Sequence, residues 1–138
     1  MIAKIMKGLG FKGVINYILD PKKGTELIDS SGVRTDSINH IVQSFIDQTK
    51  LNPRVSKVVG HISLSFSAQD SSKLSNEWMA QIAREYMEKM GIKDTQYIIG
   101  RHFDKEHPHI HIAFNRIDNN GKTISDRNDR FRSEKICK

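Results

Sequence analysis

Residues 97–116 decide the fold, and they read YIIGRHFDKEHPHIHIAFNR. In an extended strand, side chains two residues apart point to the same face, so His109 and His111 can aim at one ion. A tight connection from Asp104 to Pro108 would fold the apolar run before it back as a hairpin beside these two residues. His102 would then join them. The stretch predicts a β-hairpin on which three imidazoles converge on one cation.

The number of histidines in this stretch favours a metal site over ordinary packing. A single histidine on a strand is more often a hydrogen-bonded surface or core residue than a ligand. Four imidazoles within ten residues, mixed with Asp104 and Glu106, are costly to bury as neutral groups. Three histidine ligands with an open position are typical of catalytic sites, whereas structural sites are closed. We therefore predict a catalytic metal.

Length and composition indicate one globular domain. The chain has 138 residues, of which 37% are hydrophobic and 28% are charged, which is ordinary for a globular protein. No apolar run is long enough to span a bilayer, and the N-terminus does not resemble a secretory signal. The single cysteine, Cys137, excludes an intramolecular disulfide framework and agrees with a reducing compartment. We expect a cytoplasmic protein.

The charge balance indicates a polyanionic partner. Twenty-two Lys and Arg against sixteen Asp and Glu give a formal charge of +6 and a pI near 9.5. An ordinary basic surface remains the alternative, but nucleic acid is the leading candidate. Basic residues gather near the histidines and toward the end of the chain. The candidate contacts are Arg101, Lys105, Arg116, Arg127, Arg130 and Arg132.

Hydrophobic periodicity predicts the order of elements. It indicates a strand over residues 2–7, a helix over 11–19, a loop over 20–34, a helix capped by Thr35 or Asp36, and a strand over 55–66. A third helix, capped by Ser71 or Ser72, should turn Leu74, Trp78, Met79, Ile82, Tyr86 and Met90 inward. The histidine hairpin, a turn at 118–121, a short strand at 122–125 and the start of a helix near 130 follow.

This order favours the α+β class. We expect a largely antiparallel sheet with helices on one face and the histidines on the other, open to solvent. The last helix has only begun when the sequence ends. We therefore expect residues 1–138 to be one catalytic domain at the N-terminus of a longer protein.

The chemistry of such a site suits a phosphodiester substrate. An open cation can polarise a phosphodiester and neutralise the charge that develops on it. The nucleophile is then either metal-bound water, which gives hydrolysis, or a side chain, which gives a covalent intermediate. Tyr17 is a candidate because it lies at the edge of its helix's apolar stripe. On this ground alone, packing is the more common role for such a tyrosine.

The chain resembles a known family at this point. The segment from His102 to Arg116 is similar to the third motif of plasmid and transposon relaxases, which belong to the HUH endonucleases, and His109-Ile110-His111 matches its core. Tyr17, within Asn16-Tyr17-Ile18-Leu19, resembles the nucleophile of the first motif. The strand over residues 60–66 looks like the family's intervening strand. The resemblance spans residues 8–138.

The resemblance implies a mechanism and a set of roles. Tyr17 would attack a phosphate in single-stranded DNA at a transfer origin and give a 5′-phosphotyrosine and a free 3′-hydroxyl. His102, His109 and His111 would bind a divalent metal, Mg²⁺ or Mn²⁺ in cells and Zn²⁺, Ni²⁺ or Co²⁺ in vitro. Asp104 would orient an imidazole or accept the tyrosine proton. The resemblance also implies accessory mobilisation proteins, a bacterial cytoplasm and no membrane association.

Two other interpretations remain open. The alternation from His107 to Ala113 also fits histidine-triad nucleotide hydrolases and transferases, in which a histidine is the nucleophile and no metal is needed. The upstream His102 and Asp104 and the basic charge disfavour this reading. A DNA-binding module without catalytic activity is the other alternative. His61 would at best orient a metal ligand or contact DNA, and a structural role is the simpler expectation.

Overall fold

The computed structural model describes residues 1–68, 74–103 and 107–137. The elements are β1 (Ile2–Gly8), α1 (Phe11–Ile18), a 3₁₀ turn (Pro21–Lys23), β2 (Glu26–Ser31), α2 (Ile38–Thr49), β3 (Val59–Ser65), α3 (Asn76–Lys89), β4 (Tyr97–His102), β5 (His109–Asn115) and α4 (Asp129–Cys137). Among the described residues, no helix is long and apolar enough to cross a membrane.

The five strands form one antiparallel sheet in the order β1-β3-β5-β4-β2. The two strands of the predicted hairpin, β4 and β5, pair directly, and His102 lies opposite His109. On the other side of β5, Ser63 lies opposite His111. The predicted α+β class, the antiparallel sheet and the histidine hairpin are confirmed.

Alternation of side chains gives the sheet two faces, and both carry helices. The face that bears Ile110 and Ile112, here called the far face, packs against α3 and receives Ile136 and Cys137 of α4. The opposite face, here called the histidine face, carries His109 and His111, and α1 and α2 pack on it around Ile98 and Ala113. The prediction that helices cover only one face was wrong. The apolar residues next to the histidines on this face are stabilised by burial, and α1 and α2 shield them from water.

Because α1 and α2 cover only part of the histidine face, the rest of it stays open. The apolar cluster beneath these helices includes Val59, Ile98 and Ala113 but none of the histidines. Beyond the cluster, β3 presents the half-buried side chains of Ser63 and Ser65 on the same face. The histidines therefore lie at the boundary between the covered and the open part.

The predicted loop over residues 20–34 contains an edge strand, β2. Its sequence, ELIDSS, does not alternate regularly between apolar and polar residues. This irregularity agrees with the shift in the register with β4 between Leu27 and Asp29. Asp29 accepts hydrogen bonds from Arg84 on α3, at 2.6 Å, and from the Tyr97 hydroxyl, at 2.9 Å. Burial and this carboxylate raise the pKa of Tyr97 to about 12. Contacts remote in sequence thus fix β2 to the sheet.

Other predicted details also differ. The cap of α2 is Ser37, not Thr35 or Asp36, and the cap of α3 is Ser75, while Ser71 and Ser72 lie outside the described residues. Both serines accept a hydrogen bond from a backbone N–H in the first turn. Two further corrections concern packing and strand length. Trp78 is 47% exposed, and the predicted strand over 122–125 is a single bridge between Ile117 and Thr123.

A fully buried amide joins α2 to the end of the hairpin. Asn115 Nδ2 donates to the carbonyl oxygen of Phe45 and to Gln96 Oε1, at 3.0 and 2.9 Å, and its Oδ1 accepts from the N–H of Ile117. These bonds satisfy backbone groups that have no access to water. Asn115 therefore has a structural role at the end of β5.

We predict that Asn115→Ala lowers the free energy of unfolding by about 3 kcal/mol, because it leaves buried donors and acceptors without partners. Urea unfolding measures the change, and the m-value should stay constant. Asn119→Ala, at an exposed turn position, is the control and should change stability by less than about 0.5 kcal/mol. Equal stability of the two variants would contradict this role.

Candidate metal centre and tyrosine

Three buried histidines form the centre of the site. His102, His109 and His111 each expose 5% or less of their surface, and one ligand atom from each lies within 4.8 Å of the others. The ring centroids are 4.3 Å apart for His102 and His111, 5.2 Å for His102 and His109, and 5.4 Å for His109 and His111. We call this group the histidine triad.

The strand register and one glycine bring the triad together. His102 is opposite His109, and Gly100 is opposite His111, so three positions of two neighbouring strands share the histidine face. A Cβ at Gly100 would lie 2.5 Å from Ile18 Cγ2 and 3.3 Å from the Ile18 carbonyl oxygen. The absence of a side chain at Gly100 thus allows the end of α1 to rest directly on β4, next to the triad.

Hydrogen bonds set the orientation of each ring. His102 Nε2 donates to the Ile18 carbonyl oxygen at 2.8 Å, and His109 Nδ1 donates to the His107 carbonyl oxygen at 3.2 Å. His111 Nδ1 shares a hydrogen bond of 2.9 Å with His61 Nε2. Outer contacts of this kind fix the tautomer and the ring plane of metal-binding histidines. A metal would accordingly be held by His102 Nδ1, His109 Nε2 and His111 Nε2.

His61 orients a candidate ligand through its hydrogen bond to His111, whereas a structural role was the simpler expectation from the sequence. Burial, and then the charge of His102, lower the pKa of His61 to about 4, so its imidazole is neutral at pH 7. It can accept the His111 Nδ1 proton and leave the other nitrogen of His111 toward the triad. The alternation of His61 with Ser63 along β3 was the available sequence signal.

Tyr17 stands over the triad at the edge of α1. Its ring centroid is 5.3 Å from that of His111, 5.6 Å from that of His102 and 6.0 Å from that of His61. The side chain is 42% exposed, and the Lys23 ammonium lies 5.1 Å from the ring centroid. The predicted nucleophile therefore lines one open pocket with His109 and His111. Its ring also lies next to that of His102, which is 85 residues later in the sequence.

The predicted basic contacts do not gather at the triad. Arg101 donates to the Leu74 carbonyl oxygen and to Asn76, and Arg132 donates to the Met90 carbonyl oxygen, both on the far face. Arg116 donates to the carbonyl oxygens of Lys57 and Ile124. Arg127 is exposed before α4, and Arg130 is exposed in its first turn. Asp104 and Lys105 lie outside the described residues.

The donor set of the triad fits a divalent cation. Three imidazole nitrogens at the observed separation can bind one ion and leave positions open for a substrate oxygen. Neutral imidazoles suit Mn²⁺, Co²⁺, Ni²⁺ and Zn²⁺, whereas Mg²⁺ prefers oxygen ligands. His107 is exposed and contributes its backbone carbonyl rather than its ring to the described contacts.

Comparison with known proteins identifies the family. The sequence model of the relaxases described as "MobA/VirD2-like, nuclease domain" matches residues 17–138, most of the chain. Protein MobA of Acidithiobacillus ferrooxidans is 31% identical over 64 residues, which cover 46% of this chain and 15% of that protein. The chain thus matches a small part of that relative's length. By its sequence and by the site that it forms, the chain belongs to the MobA/VirD2-like relaxases and corresponds to their nuclease domain.

Proposed function

We propose that this chain nicks single-stranded DNA at a transfer origin by tyrosine transesterification, as the first step of plasmid or transposon mobilisation. The observation that carries the proposal is the position of Tyr17, whose ring lies 5.3 to 5.6 Å from the rings of two triad histidines. A phosphate bound at the triad would lie next to this hydroxyl. Family membership supports a nuclease, and the geometry supports a tyrosine nucleophile.

The proposed reaction exchanges one phosphoester for another. The Tyr17 oxygen forms a bond to phosphorus, and the bond from phosphorus to the 3′-oxygen breaks. The tyrosine proton passes to an acceptor, for which we propose Asp104, and the departing 3′-oxygen takes up a proton. Because the number of phosphoester bonds is unchanged, no energy source is needed and the 3′-hydroxyl can reverse the reaction.

The triad would hold the divalent cation in a geometry that its hydrogen bonds define. Bound there, the ion would supply Lewis-acid polarisation of the phosphate oxygens and neutralise developing charge. His102 and His109 are fixed by backbone carbonyls, and His111 by His61, so the three rings are oriented before an ion arrives. We propose Mg²⁺ or Mn²⁺ as the cellular ion. The open side of the triad faces Tyr17.

Family membership supports a proposal for the biological setting. We propose that the chain acts in the bacterial cytoplasm, that residues 1–138 are the catalytic domain of a longer protein, and that accessory mobilisation proteins deliver its DNA. The histidine-triad hydrolase alternative predicts that a histidine becomes phosphorylated. The module without catalytic activity predicts DNA binding and no adduct. The first alternative differs from our proposal in the residue that carries the nucleotide, and the second differs in the absence of any adduct.

We predict that Tyr17→Phe abolishes the covalent protein–DNA adduct while folding, metal binding and DNA binding change little, since only one exposed hydroxyl is removed. Denaturing gels detect the adduct, and mass spectrometry of the digested protein should place a 5′-phosphate on Tyr17. The controls are Tyr86→Phe and Tyr97→Phe, whose hydroxyls bond to Ser133 and Asp29 away from the triad. They should keep the adduct. A nucleotide on a histidine, or an adduct in Tyr17→Phe, contradicts the proposal.

For the metal, we predict that His109→Ala and His111→Ala each weaken Mn²⁺ or Co²⁺ binding by at least about a hundredfold, because each removes one of three ligands. Titration calorimetry measures the affinity, and chelation should stop adduct formation. His40→Ala is the matched control, because His40 is exposed on α2 and bonds to Ser37. Unchanged affinity in His109→Ala would exclude the triad as the metal site.

A further inference from the structure

An open groove of about 800 Å³ continues from the triad across the uncovered part of the histidine face. Tyr17, His109 and His111 line one end of it. The rest of its floor consists of alternate residues of two neighbouring strands, β1 and β3. We call this part the β1–β3 groove, and its floor residues are Ile2, Lys4, Met6, His61, Ser63 and Ser65.

The sheet register places these residues in rows that lead away from the triad. Lys4 is opposite Ser63, and Ser63 is opposite His111, so the three form one row across three strands. Neighbouring strands are about 4.8 Å apart, so the backbone of Lys4 is roughly 10 Å from that of His111. Lys4 therefore lies beside the triad rather than in it, and its side chain can reach a phosphate next to the one bound there.

The chemistry of the groove suits a strand of nucleic acid. Among its described lining residues there is no carboxylate, whereas Lys4 supplies a cation and Ser63 and Ser65 supply hydroxyl donors. Lysine and serine are common phosphate contacts in protein–DNA complexes. Ile2 and Met6 are 69% and 44% exposed and offer apolar surface to bases that are not paired. A polyanion with exposed bases would satisfy both kinds of surface.

Three of the arginines predicted to contact DNA are engaged elsewhere in the fold. Arg101, Arg116 and Arg132 all donate to backbone carbonyl oxygens, and their hydrogen bonds hold elements together on the other side of the sheet. Moving any of them to DNA would break these bonds. Lys4, on the histidine face, makes no such hydrogen bond or ion pair within the described part of the chain.

From these observations we infer that the β1–β3 groove binds the single strand next to the scissile phosphate, with Lys4 neutralising one phosphate and Ser63 and Ser65 donating hydrogen bonds to the backbone. The inference rests on the proposed function, since it assigns the substrate of the same site. It differs from the sequence-based expectation, in which arginines and Lys105 carried the DNA contacts.

The test compares two lysines on opposite faces of the sheet. Lys4→Gln and Lys89→Gln, the latter at the exposed end of α3, each remove one charge from the Tyr17→Phe protein, which cannot form the adduct. Fluorescence anisotropy then measures binding of an oligothymidylate of roughly 20 nucleotides, longer than one binding site, over a range of salt. Ser63→Ala/Ser65→Ala tests the hydroxyls, and circular dichroism and calorimetry confirm folding and metal binding.

We expect Lys4→Gln to weaken binding at low salt by at least about threefold and to lower the slope of log affinity against log salt by about 0.7, because one counterion fewer is released. The serine variant should bind more weakly at an unchanged slope. Lys89→Gln should bind like its parent.

Two results would overturn the inference, and they are distinguishable. If Lys4→Gln and Lys89→Gln bind alike while protein with Tyr17 still forms the adduct, the groove assignment fails and the proposed function stands. If the Tyr17→Phe parent binds single strands no better than duplex, and the protein with Tyr17 forms no adduct, both fail.

Discussion

The site depends on the antiparallel pairing of β4 with β5. This register sets His102 opposite His109 and leaves Gly100 opposite His111, so that imidazoles from two strands share one face. A shift by one residue would turn every side chain of one strand to the other face and separate the triad. The register is protected by burial, because Ile98 and Ile99 of β4 and Ile110 and Ile112 of β5 are fully enclosed in the two clusters that flank the sheet. The geometry of the candidate metal site is therefore a consequence of core packing.

The second constraint is the close approach of α1 to β4 at Gly100. Ile18 at the end of α1 both fills the space above this glycine and accepts a hydrogen bond from His102. Tyr17, one residue earlier, is thereby held over the triad and remains exposed on the open side. One short helix thus orients a candidate ligand, His102, and presents the proposed nucleophile. The uncovered β1–β3 side supplies the space that a DNA strand would need.

Much of the hairpin and triad could be predicted from the sequence, because alternation of histidines within one strand is a local signal. The strand β2 could not, because Asp29 is fixed by Arg84 and Tyr97, which are distant in sequence. Placement of α1 and α2 on the histidine face also depends on tertiary packing. The face of the sheet on which the arginines lie was also not predicted from the sequence. Arg101 and His102 are neighbours in sequence, but their side chains point to opposite faces because residues alternate along β4. Clustering of charge in sequence does not determine the face on which the charges lie.

The proposed mechanism requires that three imidazoles bind one ion beneath Tyr17. Anomalous diffraction from crystals of this chain soaked with Mn²⁺ locates such an ion independently of any activity. We expect a single strong peak within bonding distance of His102, His109 and His111, on the side of the triad that faces Tyr17. A peak held by His61, His107 or surface carboxylates, with the triad empty, would contradict it.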